Sequence, residues 1–258
     1  MPRASGRRAD NRMSIPAFYL EASAWSSQVC LKGPECHHLQ VLRITPGSEV
    51  ELLDGEGRLG LFGVESIRKN EVVLNKKSEQ SSERPASLPI MALALSKAVR
   101  RGFFLEKAAE LGAYQIWLFQ GELSQGKLVP GLEAKIRQTL IAGCKQCKNP
   151  WLPEVRLFPE GLGQLLEEIS DIEHRILPWE LESTSALIGQ EDLGLPGKTI
   201  YAIGPEGGFA PHELELFDQA GFRRISLGAR ILRCETAATL CLGLHWWASH
   251  RPETKDCL

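Results

Sequence analysis

Ile203-Gly204-Pro205-Glu206-Gly207-Gly208-Phe209 and, further on, Leu227-Gly228-Ala229-Arg230-Ile231-Leu232-Arg233-Cys234-Glu235-Thr236-Ala237-Ala238 are the two stretches that decide how this chain reads. In the first, an apolar run over 199–203 enters a turn whose glycines can take φ > 0 and let a ligand approach bare backbone. The second repeats the pattern: 225–227 reads as a buried strand, Gly228 breaks it, and a helix follows from about Glu235. Two such strand-to-loop-to-helix junctions predict neighbours in an α/β sheet, where ligands bind at the carboxyl ends of strands. The plainer reading is a pair of tight turns between core strands and helices, with Pro211 in a first helical turn and Arg230 and Arg233 as solvated charges.

Working outward, 90–95, 115–119 and 175–177 read as strands, and 101–111, 132–147 and 161–169 as helices. Strands alternating with helices imply a mostly parallel sheet. Upstream, short apolar runs at 50–53, 59–64 and 72–74 lie between glycine turns and predict a small β-barrel or sheet. Residues 76–89 (KKSEQSSERPASLP) are polar, charged and proline-bearing, and read as a linker. The predicted organisation is a disordered tail over 1–13, a β domain over 14–75, the linker, an α/β domain over 90–250 and a tail over 251–258.

A length of 258 residues permits one large or two modest domains with real cores. Apolar content of 43% and charged content of 24% are ordinary for a globular protein, and the net charge of −2 makes no global case for nucleic acid. RNA binding at this balance requires local basic patches. Seven cysteines without a regular framework, and no secretory apolar segment before them, favour reduced thiols and the cytoplasm. No apolar run is long enough to cross a bilayer as a helix.

The two glycine-bearing stretches resemble the signature of the RsmE family of SPOUT-class methyltransferases, which use S-adenosylmethionine to methylate N3 of a uridine in 16S ribosomal RNA. Further matching parts are Glu106-Lys107-Ala108-Ala109-Glu110-Leu111-Gly112, Cys144-Lys145-Gln146-Cys147 and the start at Ile15-Pro16-Ala17-Phe18-Tyr19-Leu20, so the similarity covers nearly the whole chain. It implies a PUA-like β-barrel that helps hold RNA, ahead of an α/β domain whose C-terminal part forms a deep trefoil knot. It also implies a homodimer joined near the knot, and no metal. Because the family-like start falls just after Met13, Met13 is a candidate initiator beside Met1. Two alternatives stay open: a methyltransferase of the same fold for another RNA position, and a non-catalytic RNA-binding module.

By the resemblance, Gly204, Glu206, Gly207, Gly208, Ser226, Gly228 and Thr236 belong to the cofactor-holding loops, and Leu177, Leu227, Ile231 and Leu232 supply apolar walls around the adenosyl group. Arg233 and Glu235 are the candidate catalytic pair. Methyl transfer to N3 must align the methyl and dispose of the N3 proton, and a fixed guanidinium at Arg233 would stabilise charge spreading onto O2 and O4. The proton acceptor is open between Glu235 and Glu206. Lys97, Arg101, Lys107, Lys145, Lys148 and Arg230 are the candidate RNA contacts; their plain reading is solvated surface charge. On that side the chain departs from the family pattern, with Lys145 where an acidic residue is expected and Lys148-Asn149-Pro150-Trp151 where an arginine is usual.

Three motifs are set aside. Gly55-Glu56-Gly57-Arg58-Leu59-Gly60 fits G-x-G-x-x-G, but a strand follows it instead of a helix, so it predicts a hairpin turn. Cys144 and Cys147 stand one helical turn apart with no second pair and no histidine at ligand spacing, which predicts packing rather than a metal site. His37-His38 is expected in a surface loop of the barrel, touching RNA.

Overall fold

A computed structural model describes residues 15–180 and 186–250. The tails expected at 1–13 and 251–258, and the choice between Met1 and Met13, lie outside the described residues. The chain divides into two units between Ser82 and Glu83, inside the stretch expected to link them.

The first unit contains β1 (Ala17–Tyr19), β2 (Gln28–Lys32), α1 (Gly33–Val41), β3 (Glu49–Leu53), β4 (Arg58–Arg68) and β5 (Glu71–Ser81). They form one five-stranded sheet in the order β1-β3-β4-β5-β2, with β1 parallel to β3 and the other pairs antiparallel. Alternation places Val29 and Leu31 of β2 on the inner face with Phe18, Val50, Leu52 and Phe62, where α1 adds Cys36 and Leu39.

Two expectations are corrected here and one is narrowed. Of the small β-barrel or sheet that was expected, the structure has one five-stranded sheet with β1 and β2 at the ends of its order. Much of the expected linker is strand: β5 pairs with β4 as far as Arg58 with Ser81, and the next strand begins at Ser87. The polar side chains of 76–81 suit a solvent-facing ribbon, whose backbone is satisfied by its partner strand. His37 and His38 lie in α1, not in a loop, and the His38 ring packs 5.3 Å from that of Phe18.

At Gly55 to Gly60 the structure has a turn. Asp54 accepts the backbone N–H groups of Glu56 and Arg58 at 2.8 and 2.9 Å, while Gly55 and Gly57 take φ of 79° and 100°. No helix N-terminus follows, so the geometry of a dinucleotide loop is absent there.

The second unit runs β6 (Ser87–Ala94), α2 (Ala98–Glu110), β7 (Gln115–Phe119), α3 (Leu132–Cys147), β8 (Glu154–Phe158), α4 (Leu162–Leu166), β9 (His174–Pro178), β10 (Gly197–Ile203), α5 (Pro211–Gln219), β11 (Arg223–Ile225) and α6 (Cys234–Ser249). Its six strands are all parallel, in the order β11-β9-β10-β6-β7-β8. All five residues of β7 are buried, as a parallel strand covered on both faces requires. Ile90, Ala92 and Ala94 of β6 enter a core with Trp117, Phe119, Leu177, Ala202 and, from α5, Phe217. Across the sheet, α6 packs on α2, β6 and β10, and α3 packs on α2. There Gly143 of α3 allows a close approach, because a Cβ on it would stand 2.7 Å from that of Ala109. Cys144 is fully buried at this seam and burial pushes its thiol up to about 12, the behaviour of a packing residue.

The strand expected at 225–227 is shifted towards the N-terminus. β11 ends at Ile225, and Ser226 instead bridges Leu187 in the connection between β9 and β10. Leu227 and Gly228 are thereby released from the sheet. From β6 the chain builds outward through β7 and β8, then returns to place β10 on the other side of β6. The strand order reverses between β6 and β10, and a crevice opens beyond their carboxyl ends.

Candidate functional site

That crevice holds a cavity of ≈ 240 Å³. The turn after β10 forms one wall: Gly208 donates its N–H to the Pro205 carbonyl at 3.0 Å and takes φ of 73°. A Cβ on Gly204 would meet the Phe209 ring at 3.2 Å, and one on Gly208 would meet Glu180 Oε1 at 3.2 Å. Glycine at these two positions keeps backbone bare at the cavity wall. The turn is held from behind by Glu213, which is buried and accepts the N–H groups of Ala210 at 2.9 Å and Glu122 at 3.1 Å. The opposite wall is the end of the second glycine-bearing stretch, with Ile231, Leu232, Arg233 and Cys234, and Pro178 at the end of β9 closes a third side.

A smaller cavity of ≈ 50 Å³ shares Pro178, Glu180, Leu232 and Ala237 with the first and adds Trp179, Leu227, Gly228 and Arg230. The two glycine-bearing stretches, distant in sequence, therefore face a common space. Gly228 takes φ of 111°, and its N–H donates to the Ser226 hydroxyl oxygen at 3.2 Å, which fixes the start of this loop.

Charge at the floor of the larger cavity is concentrated in one cluster. Arg100, in the first turn of α2, donates from Nη1 to Glu206 Oε1 at 2.7 Å, and its Nε stands 4.0 Å from Glu235 Oε1. Both carboxylates are largely shielded, with side chains 14% and 13% exposed. The Cys234 thiol donates to Glu235 Oε2 at 3.3 Å; burial first, and then the hydrogen bond with Glu235, push that thiol above its ordinary range. Oε2 of Glu206 is buried and has no hydrogen-bond partner among the described residues. An orphaned carboxylate oxygen at a cavity wall fits a cationic or N–H-bearing ligand, since leaving such an atom unpaired costs about 1–3 kcal/mol.

The structure brings together Gly204, Glu206, Gly208, Ile231, Leu232 and Arg233 around the larger cavity, and Leu227, Gly228 and Arg230 around the smaller. Glu235 lies beside them at the Arg100 cluster, and lines a narrow recess with Gly204 and Cys234. The remaining predicted cofactor residues sit otherwise. Leu177 is fully buried in the sheet core while its neighbour Pro178 reaches the cavity. A Cβ on Gly207 would point at Leu123, 3.1 Å away. Ser226 is buried and exchanges backbone hydrogen bonds with Ala186 and Ile188, and Thr236 is exposed on the first turn of α6.

Among the predicted RNA contacts, Lys97 and Arg230 are exposed. Arg101 folds back to donate to the Ser96 carbonyl at 3.2 Å, and burial lowers its hold on its proton. Lys107 is paired with Glu110 at 2.7 Å, Lys145 lies in the last turn of α3, and Lys148 follows that helix in a left-handed conformation with φ of 58°. Sequence reasoning missed Pro178, Glu180 and Arg100. The carboxyl end of β9 was the signal for the first two; for Arg100 no local signal exists. Among the described residues no group of three or more His, Cys, Asp or Glu is arranged to hold a metal ion, and no helix is long and apolar enough to cross a membrane.

Comparison with known proteins places this geometry. The model of the RNA methyltransferase domain matches residues 83–246, and that of the RNA methyltransferase PUA domain matches 31–77. Ribosomal RNA small subunit methyltransferase E of Mesomycoplasma hyopneumoniae is 30% identical over 80% of this chain and 88% of its own length. The protein of that name from Synechocystis is 30% identical over 83% of this chain and 71% of its own. Among solved structures, ribosomal RNA small subunit methyltransferase E from Neisseria gonorrhoeae bound to S-adenosylmethionine superimposes with a TM-score of 0.76 at 27% identity, covering 88% of this chain and 95% of the other. A Legionella pneumophila protein in complex with the same cofactor gives 0.81 at 28% identity, covering 91% and 98%.

Proposed function

We infer the reaction from the premise that this chain belongs to the ribosomal RNA small subunit methyltransferase E (RsmE) family of RNA methyltransferases. It is an S-adenosylmethionine-dependent methyltransferase acting on 16S ribosomal RNA. The observation that carries this is the one cavity walled on opposite sides by the two glycine-bearing stretches, at the point where strand order reverses. The residues present fit the cofactor: bare backbone at Gly204 and Gly208, apolar Ile231 and Leu232, and an unpaired carboxylate oxygen on Glu206. The cofactor supplies an activated methyl group on a sulfonium.

The finer reading is that the acceptor is uridine N3. Arg233, exposed at the cavity rim, is suited to stabilise negative charge spreading over the uracil oxygens as N3 loses its proton. Glu206 and Glu235, shielded from water, are the groups in reach of that proton. Lys97 and Arg230 are the exposed cations placed to meet phosphate, and the PUA-like unit adds RNA affinity.

A C-terminal trefoil knot and a homodimer complete the reading. β11 ends beside β9 at the sheet edge, yet α6 packs over β10 and β6, so the loop between them must traverse the carboxyl ends of the strands; Ser226, at its start, is tied to Ala186 and Ile188 of the β9–β10 connection. Val99 and Phe103 on one face of α2, with Leu240 and Trp247 on the adjoining α6 and Ile231 before it, are apolar and exposed, Val99 by 86% and Ile231 by 82%. Such a patch marks an interface. A cytoplasmic location follows from the substrate.

The test is methylation of small ribosomal subunits from a strain lacking the activity, with the product nucleoside identified by mass spectrometry. 3-Methyluridine is the expected product; another methylated nucleoside refutes the N3 assignment. Sedimentation of the parent and of Val99→Asp tests the dimer, which the substitution should dissociate.

A further inference from the structure

We propose that Arg100 is a positioning residue of this site: by holding Oε1 of Glu206, it presents Oε2 of that carboxylate as the acceptor for an N–H donor of the bound ligands. The proposal rests on the methyltransferase reading and deepens it. As a basic residue beside Arg101 and Lys97, Arg100 reads from sequence as part of an RNA-facing surface. Its side chain does something else. It lies between two shielded carboxylates, 2.7 Å from Glu206 and 4.0 Å from Glu235, so its charge is engaged within the site instead of being offered to phosphate.

The two carboxylates are not equivalent. Glu235 has Oε1 near Arg100 and Oε2 accepting the Cys234 thiol, so both oxygens are engaged. Glu206 has one oxygen engaged by Arg100 and the other buried without a partner. Glu206 lines the cavity; Glu235 does not. The two oxygens of a carboxylate are equivalent, so a half-turn restores the same arrangement; what the 2.7 Å ion pair fixes is the plane of the Glu206 carboxylate, with one oxygen on Arg100 and the other left without a partner.

The chemistry wanted at Oε2 is an N–H group, and the reaction brings three: the ammonium and the adenine amino group of the cofactor, and the N3 imide of uracil. With either cofactor group, no bond is made or broken at Glu206. With the imide, the N3 proton passes to Oε2 as the N3–methyl bond forms, and the carbon–sulfur bond of the donor breaks with its electron pair left on sulfur. The resulting carboxylic acid then returns its proton to water.

The experiment compares the full-length parent with Glu206→Gln, Arg100→Gln, Arg100→Lys and the Glu206→Gln/Arg100→Gln double variant. Each is checked for an intact thermal melt, then measured for calorimetric affinity for S-adenosylmethionine and for single-turnover methylation of small subunits. If a cofactor N–H group is the partner, Glu206→Gln weakens cofactor affinity about ten- to a hundredfold. If the imide is, affinity is kept and the rate falls by about a hundredfold or more. In either case Arg100→Gln reproduces the same kind of defect, Arg100→Lys recovers most of it, and the double variant is no worse than Glu206→Gln alone. Parental affinity and rate in Glu206→Gln or in Arg100→Gln overturn the proposal, and so do losses that add in the double variant. A parent that neither binds S-adenosylmethionine nor methylates subunits refutes the underlying reading, a failure visible without any variant.

Discussion

The Tyr201 hydroxyl lies 3.0 Å from Nδ1 of His245, joining the middle of β10 to α6 inside the sheet core. On the other side of the ring, Nε2 is 2.8 Å from the Ser87 hydroxyl, which itself donates to the Leu195 carbonyl at 2.6 Å. Ser87 has spent its proton on Leu195, so its oxygen accepts from Nε2–H, and Nδ1 accepts from Tyr201. This chain of hydrogen bonds assigns a neutral imidazole, and a second proton on the ring would confront the Tyr201 hydroxyl with no acceptor in place.

Acid should therefore loosen the α/β unit at a defined pH. Burial, with His174 as a lesser cause, pushes the His245 imidazole down to about 4 from its usual 6.5. The unfolded chain binds this proton first, so the contribution is complete above the unfolded value and is lost as pH falls from about 6.5 towards 4, by the order of 3 kcal/mol at the low end. Denaturant melts of the parent and of His245→Gln from pH 7.5 to 4.5 should show a steeper acid loss in the parent. Equal slopes would mean that His245 does not carry it.

Tyr201→Phe keeps the ring packing and deletes the hydroxyl, leaving Nδ1 of a buried histidine without its donor. The expected loss is about 1–3 kcal/mol of stability. S-adenosylmethionine affinity should be unchanged, because neither residue lines the cavity.

Gly143→Ala should destabilise despite its better helix propensity. The new methyl would stand 2.7 Å from the Ala109 Cβ where α3 crosses α2, and both atoms are tied to helix backbone. Overpacking of this kind costs about 1–3 kcal/mol, against a propensity gain of about 1 kcal/mol. A thermal melt that rises above the parent's would contradict the seam described here.

Gly208→Ala separates backbone strain from contact. Its φ of 73° is in the left-handed region, and the added methyl would approach only the end of the Glu180 side chain, which can move. The strain costs about 1–2 kcal/mol. Calorimetry should show S-adenosylmethionine affinity falling by about tenfold or more as the turn relaxes away from the cavity.

Arg233→Ala addresses the transition state alone. The side chain lines the cavity rim and is exposed, so its removal leaves the fold intact. Single-turnover methylation should slow by about 10²–10³-fold. Full activity with unchanged RNA affinity would remove Arg233 from the mechanism.

Much of the architecture was legible because its signals are local. The apolar runs of β7 and β10 and the amphipathic α3 are set by contiguous residues, and the bounds of β7 and α3 read from sequence coincide with those observed. Gly204, Gly208 and Gly228 mark places where backbone must turn sharply or stay bare, a demand that only glycine meets cheaply. The long β4–β5 ribbon was not legible: residues 76–81 carry a polar pattern typical of a linker, and only pairing with the partner strand makes them a strand. The end of β11 was misjudged for a similar reason, since Ser226 pairs with a segment far away in sequence.

The sequence by itself determined where the two glycine-bearing turns that line the cavities lie, because glycine placement and apolar runs act over a few residues. Only the tertiary structure decided which charges face them. Arg100 and Arg101 are adjacent and identical, yet one reaches Glu206, 106 residues away, and the other folds onto Ser96 on its own helix approach. Adjacent residues on a helix point about 100° apart, and what each meets depends on strands and loops that the fold delivers from elsewhere.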